Sequence, residues 1–248
     1  MVQIVGILNI TPDSFSDGNL YFDTNKAILR THQLFEEGAN LVDIGAESTR
    51  PGAQPLTPDQ EWERLEPVLC KLINEFPHSL SVDTYHPETA EAALNLGDVI
   101  INDVTGLNNP KMISVILKFK AKIVISHSPD INVQLAHRGK LIGDIQQIRS
   151  ELLDKALMLE SKGLKHENII LDPGIGFGKT MKINRELLSF AKLIKEYPVM
   201  IGYSKKRFLG DNRMKLKPNI AAGKIAIKSG AAYIRVHDVK SHAEQLLK

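Results

Sequence analysis

Residues 168–180 read NIILDPGIGFGKT, and the fold follows from them. Ile169, Ile170 and Leu171 form a short, wholly apolar and largely β-branched run, the pattern of a strand buried on both faces. The run stops at Asp172, and Pro173, Gly174, Gly176 and Gly178 follow. A chain so rich in glycine leaves the strand as an irregular loop whose backbone can approach a ligand closely. An acid at the carboxyl end of a buried strand, backed by such a loop, is the arrangement of a ligand site in an α/β protein. Two motif readings fail. A phosphate-cradling loop needs glycine where Pro173 stands and a helix opening at the lysine, whereas the next helical signal begins at Asn184. The dinucleotide fingerprint needs G-x-G-x-x-G, and this loop reads G-x-G-x-G.

Outward from this stretch the same unit repeats. Eight apolar runs punctuate the chain, at residues 4–10, 41–44, 80–82, 99–101, 123–125, 169–171, 199–201 and 233–236. Helical periodicity fills the intervals. Trp62, Leu65, Val68, Leu69, Leu72, Ile73 and Phe76 mark one helix face, opened by the capping box Thr57-Pro58-Asp59-Gln60 and interrupted by Pro67, where a kink is expected. Pro87 and Pro110 stand where two more helices should begin, and Gly38, Gly97, Gly163 and Gly230 where helices end before strands. The unit recurs roughly every 31 residues, and eight parallel strands alternating with helices over about 250 residues is the (β/α)₈ TIM barrel. An open doubly wound sheet is the alternative, but it more often has fewer strands and a glycine-rich first turn. No linker or low-complexity tract divides the chain, so residues 1–248 are expected to form one domain, with its active site at the carboxyl ends of the strands.

Composition narrows the function. A net charge of +2 argues against nucleic acid or a membrane surface as partner. The single Cys70, placed by sequence in an apolar stripe beside Leu69, excludes an internal disulfide and a multi-cysteine metal site. The opening MVQIVGIL carries no basic leader, and nothing approaches the ~20 apolar residues of a membrane span. A cytoplasmic protein is expected.

Polar residues end the strands. In order they are Asn9; Asp43 with Glu47; Asp83; Asn102 with Asp103; His127; Asp172; Ser204 with Lys206; and Arg235 with His237. A barrel brings them to one rim. Asp83, Asn102 and Asp172 suit a planar, guanidine-like heterocycle, whereas Arg50, Lys206, Arg235 and His237 suit an anion such as phosphate. Asn9 adds a neutral oxygen for a hard metal ion riding on that phosphate.

GILNITPDSFSDG, DIGAESTRPGA, SVDTY, INDVTG, LDPGIGFGKT, IGYSKKRFLG and IRVHDV follow one another as they do in dihydropteroate synthases, a resemblance that covers nearly the whole chain. It implies the same barrel, usually as a homodimer, and a magnesium-dependent condensation of 6-hydroxymethyl-7,8-dihydropterin pyrophosphate with 4-aminobenzoate. By resemblance, Asp83, Asn102, Asp172 and Lys206 bind the pterin. Asn9, Arg50, Arg235 and His237 hold the pyrophosphate, with Asn9 also on Mg2+. Phe15, Thr49, Pro51, Phe177, Lys206 and Arg207 border the aminobenzoate, and Asp83, Asp172, Lys206, Arg235 and His237 form the catalytic set. The chain departs from the family's pattern at Ala46, at Ser128-Pro129 and at Arg207, where a serine is usual near the aminobenzoate carboxylate at the start of the helix after the seventh strand. The competing readings are an inactive pterin-binding paralogue and a methyltetrahydrofolate-dependent methyltransferase domain.

Overall fold

The computed structural model describes residues 2–11, 24–47, 54–129 and 142–247. Phe15, Thr49, Arg50 and Pro51 lie outside the described residues. Eight strands appear where the apolar runs stand: β1 (Gln3–Asn9), β2 (Leu41–Gly45), β3 (Leu80–Asp83), β4 (Ile100–Asp103), β5 (Ile123–Ser126), β6 (Ile169–Asp172), β7 (Met200–Gly202) and β8 (Tyr233–Val236). All pair in parallel, in the order β6-β5-β4-β3-β2-β1-β8-β7. A parallel bridge between Leu171 and Val199, with the Leu171 amide donating to the Pro198 carbonyl at 3.0 Å, joins β6 to β7 and closes the barrel.

Helices α1 (Thr24–Glu36), α2 (Pro58–Leu72), α3 (Pro87–Leu96), α4 (Pro110–Phe119), α5 (Ile145–Ser161), α6 (Met181–Glu186), α7 (Leu216–Lys228) and α8 (Val239–Leu246) separate the strands. Among the described residues none is long and apolar enough to cross a membrane. The capping box is present: Thr57 Oγ1 accepts from the Gln60 amide, and Gln60 Oε1 accepts from the Thr57 amide. The helix continues through Pro67 to Leu72. Its buried face is Glu61, Leu65, Val68, Leu69 and Leu72, while Cys70 is exposed rather than part of the apolar stripe, because adjacent helical positions diverge by 100°.

Alternation along the strands sorts the barrel into layers. Val5, Leu41, Ile100, Val124, Ile170, Met200 and Tyr233 form a small cluster of their own, apart from the large core. They plug the barrel's lower interior. Two residues further along β2, β4, β6 and β8, on the same face, stand Asp43, Asn102, Asp172 and Arg235. The polar rim therefore rests on an apolar floor.

Candidate active site

Asp43 is the hub of the rim. Its Oδ2 accepts from Arg235 Nε at 2.6 Å and from Asn102 Nδ2 at 3.0 Å. Arg235 reaches the next strand as well, with Nη2 donating to Asp83 Oδ2 at 2.6 Å. One guanidinium thus bridges two carboxylates, the two-pronged use to which arginine is suited. Asn102 Oδ1 and Asp43 Oδ1 are buried and have no hydrogen-bond partner among the described residues. Buried acceptors left unpaired are costly, so they are what a ligand with N–H donors would satisfy. Sequence reading named Asp43 but gave it no role. The signal was its position, two residues past Leu41, where the inward face turns polar.

Asp172 and Lys206 face each other across Gly202. A Cβ on Gly202 would lie 3.6 Å from Asp172 Oδ2 and 3.8 Å from both Lys206 Nζ and the Arg235 Cβ. The glycine leaves a recess ringed by an acid and two cations. Asp172 Oδ1 accepts from the Gly174 amide at 2.7 Å, which anchors the acid to its own loop. Burial pushes the Asp172 carboxyl above its ordinary range, and Lys206 pulls it back. Burial likewise brings Lys206 down to about 8, against the attraction of Asp172. Asp83 is pushed up by burial and drawn down by Arg235.

Ser204 supports His237. Its hydroxyl oxygen accepts from the His237 amide at 3.3 Å and lies 3.0 Å from the ring's Nδ1, fixing the imidazole at the end of β8. Asn9 ends β1, beside Gly45 of β2. Phe177 sits on the β6 loop with its ring 5.4 Å below Lys206 Nζ. The described residues so bring Asn9, Asp83, Asn102, Asp172, Lys206, Arg235 and His237 to the strand ends of one barrel.

Three expectations change. Arg207 is exposed and opens a single 3-10 turn, Arg207–Leu209, while α7 begins only at Leu216. No helix N-terminus stands there to favour an anion. Asp103 and His127 leave the site. The Asp103 carboxylate accepts from the Thr105 and Leu107 amides and the Thr105 hydroxyl. His127 Nε2 lies 2.8 Å from Glu151 on α5, and burial holds its ring at about 4, hence neutral. The helix after the glycine loop starts at Met181, capped by Thr180, ahead of the expected Asn184.

No three His, Cys, Asp or Glu side chains among the described residues are arranged to hold a metal ion. Arg235 engages two of the rim carboxylates instead, Asp43 and Asp83. Such a donor set suits a hard cation that arrives on a polyanionic ligand and needs only a neutral oxygen from the protein, as Asn9 offers.

A family model described as pterin binding enzyme matches residues 5–237. The chain is 38% identical over 250 residues to a dihydropteroate synthase of Bacillus subtilis (strain 168), covering 97% of this chain and 85% of that protein. Among solved structures, the Clostridium difficile dihydropteroate synthase in the presence of pteroic acid matches with a TM-score of 0.87 at 37% identity, over 98% of this chain and 94% of that one. The Xanthomonas albilineans dihydropteroate synthase with 4-aminobenzoic acid matches with a TM-score of 0.88 at 34% identity, over 99% and 91%. With the acid-and-cation rim on its apolar floor, the chain belongs to the pterin binding enzyme family, among the dihydropteroate synthases.

Proposed function

We infer that this chain joins 6-hydroxymethyl-7,8-dihydropterin pyrophosphate to 4-aminobenzoate, giving 7,8-dihydropteroate and pyrophosphate, a step of folate biosynthesis. The observation that carries the reading is what the rim brings together: the acceptors Asp83, Asn102 and Asp172 beside Lys206, Arg235 and His237. The acids and the Asn102 amide suit the amino and ring N–H groups of a pterin, and Lys206 suits its carbonyl. The carbon–oxygen bond of the pterin methylene breaks, its electron pair leaving with pyrophosphate. The methylene carbon becomes electron-poor, and the amine nitrogen of aminobenzoate attacks it, losing a proton as the carbon–nitrogen bond forms. Asp83 and Asp172 favour positive charge on the pterin, while Arg235 and His237 favour the departing anion. No protein nucleophile is needed.

Phe177, and with it Phe15, Thr49 and Pro51, borders the acceptor in this reading, and Arg50 adds to the anion clamp. Arg207, exposed and next to Lys206 in sequence, would meet the acceptor carboxylate in this reading. Asn9 would hold magnesium together with the diphosphate, and the ion would supply further charge neutralisation there. A homodimer is the expected assembly, and it would cover exposed apolar side chains such as Met214 and Ile225. A single cysteine fits a cytoplasmic setting.

Pyrophosphate release, measured with and without 4-aminobenzoate, tests the reaction. Release that requires the acceptor is expected, and acceptor-independent or absent release would overturn the reading. In the same assay Arg207→Ser should raise the KM for aminobenzoate by about tenfold, the loss of one exposed charge-assisted bond. An unchanged KM removes Arg207 from the acceptor site.

A further inference from the structure

The Gly-Lys-Thr of the β6 loop does not present its lysine to a ligand. Lys179 is 5% exposed, and its ammonium donates to three backbone carbonyls: Phe177 at 2.8 Å, Gly174 at 2.9 Å and His127 at 3.0 Å. Three donors meet three acceptors, which satisfies an ammonium completely. Two of these carbonyls belong to the glycine loop itself, and the third ends β5. Lys206 holds the same loop from the other side, donating to the Ile175 carbonyl above the Phe177 ring. Three amides of the loop are engaged as well. Gly174 N–H goes to Asp172, Phe177 N–H to the Gly174 carbonyl, and Gly176 N–H to Asn184 Oδ1.

A loop with glycines at φ +64°, +93° and +57° has much conformational freedom to lose, yet here its polar groups are tied down one by one. Two lysines clasp it. The inner one touches no reacting group, and the outer one belongs to the proposed catalytic set. Displacing the inner lysine would let Phe177 and the Ile175 carbonyl shift, and Lys206 Nζ with them.

We propose that Lys179 is a positioning residue, which holds Phe177 and, through the shared loop, Lys206 in the geometry that the acceptor amine requires. The role rests on the synthase reading of the site. Asp83 and Asn102 stand on β3 and β4, away from this loop, while Asp172 and Lys206 stand at it, so pterin binding weakens in part and the acceptor, which meets Phe177, loses more.

The test compares the full-length protein with Lys179→Met, which keeps the chain's length without its donors, and with Lys179→Arg, which keeps a charge in a different shape. In Lys179→Met the KM for 4-aminobenzoate should rise roughly tenfold or more, since a shift of the order of 1 Å is enough to cost much of an oriented contact. Binding of the pterin pyrophosphate, read by calorimetric titration, should weaken by a clearly smaller factor, since Asp83 and Asn102 keep their places. The pH profile is the second readout. Lys206 faces Asp172, Asp83 and Arg235 and is tied to the Ile175 carbonyl of the loop that Lys179 holds, so releasing that loop should displace the alkaline limb of kcat that Lys206 sets. If Lys179→Met does not fold, Lys179→Arg decides, with the same acceptor-specific rise expected. Equal losses of both substrates, or an acceptor KM and an alkaline limb unchanged in a folded variant, would overturn the proposal. A wild-type protein without acceptor-dependent pyrophosphate release would instead overturn the synthase reading, and the titration would still report on the pterin site.

Discussion

Asp172 gives one carboxylate oxygen to the Gly174 amide and turns the other toward the Gly202 recess. That second oxygen is the one a guanidine-like heterocycle would meet. Asp172→Asn places an N–H where the ligand also has one, and a buried mismatch of this kind costs about 1–3 kcal/mol. Binding of the pterin pyrophosphate should weaken at least tenfold in a calorimetric titration while the fold survives, and an unchanged affinity would take Asp172 out of the site. Lys206 carries the matching pH dependence. Burial lowers it to about 8, so the ammonium is present below that pH and lost above it. Turnover should therefore fall as pH rises through about 8, and Lys206→Met, slow at every pH, should lack that limb. A profile flat across that region in the wild type would separate Lys206 from the rate. The glycine loop, the acid at its root and the lysine across from it were all legible from residue type and position. The hub was not. Asp43 reads as one more strand-end acid until Arg235 and Asn102 are seen to converge on the same oxygen.

At the scale of elements, strand positions were plain because most apolar runs end abruptly in a polar residue, and β6 at Asp172 is the sharpest case. Helix starts were plain where proline or a capping box stands, as at Pro58, Pro87 and Pro110. They were obscure where the first turn is polar and exposed. Met181 and Lys182 are both exposed, so periodicity begins only at Ile183, although Thr180 already caps the helix. The segment after β7 misled for another reason: Arg207-Phe208-Leu209 looks like a helical start, but Gly210 at φ +82° ends it as one turn. The β6 loop gives the sharpest element-level prediction. Gly174 sits at φ +64°, and a Cβ there would lie 2.0 Å from the His127 carbonyl oxygen, a backbone atom that cannot swing aside. Gly174→Ala should destabilise the fold by more than about 1 kcal/mol, because left-handed strain and a clash act together. It should also weaken Asp172's hold on its own loop. A denaturant midpoint equal to or above the wild type's would show that the loop can move away at little cost.

At the scale of the molecule, the barrel sets acids beside basic groups on one rim. The carboxylates Asp43, Asp83 and Asp172 come from β2, β3 and β6, and Arg235, the imidazole of His237 and Lys206 come from β8 and the segments just beyond β8 and β7. Arg235 does not stand free for an anion, since two of its nitrogens already bind Asp43 and Asp83. A diphosphate carries several negative charges, and a guanidinium already paired with two carboxylates neutralises them poorly. In our reading His237 and Arg50 add to the clamp, and a diphosphate still outweighs them in charge. This shortfall is the physical reason for expecting a divalent ion to travel with the substrate, with Asn9 as a protein oxygen for it. Chelation should then suppress acceptor-dependent pyrophosphate release, and added magnesium should restore it. Asn9→Ala should raise the magnesium concentration needed for half-maximal turnover, with little change in the rate at saturating metal. Full turnover in excess chelator would mean that the protein's own cations suffice, and Arg235 would then have to exchange its carboxylate partners for the phosphates as substrate binds.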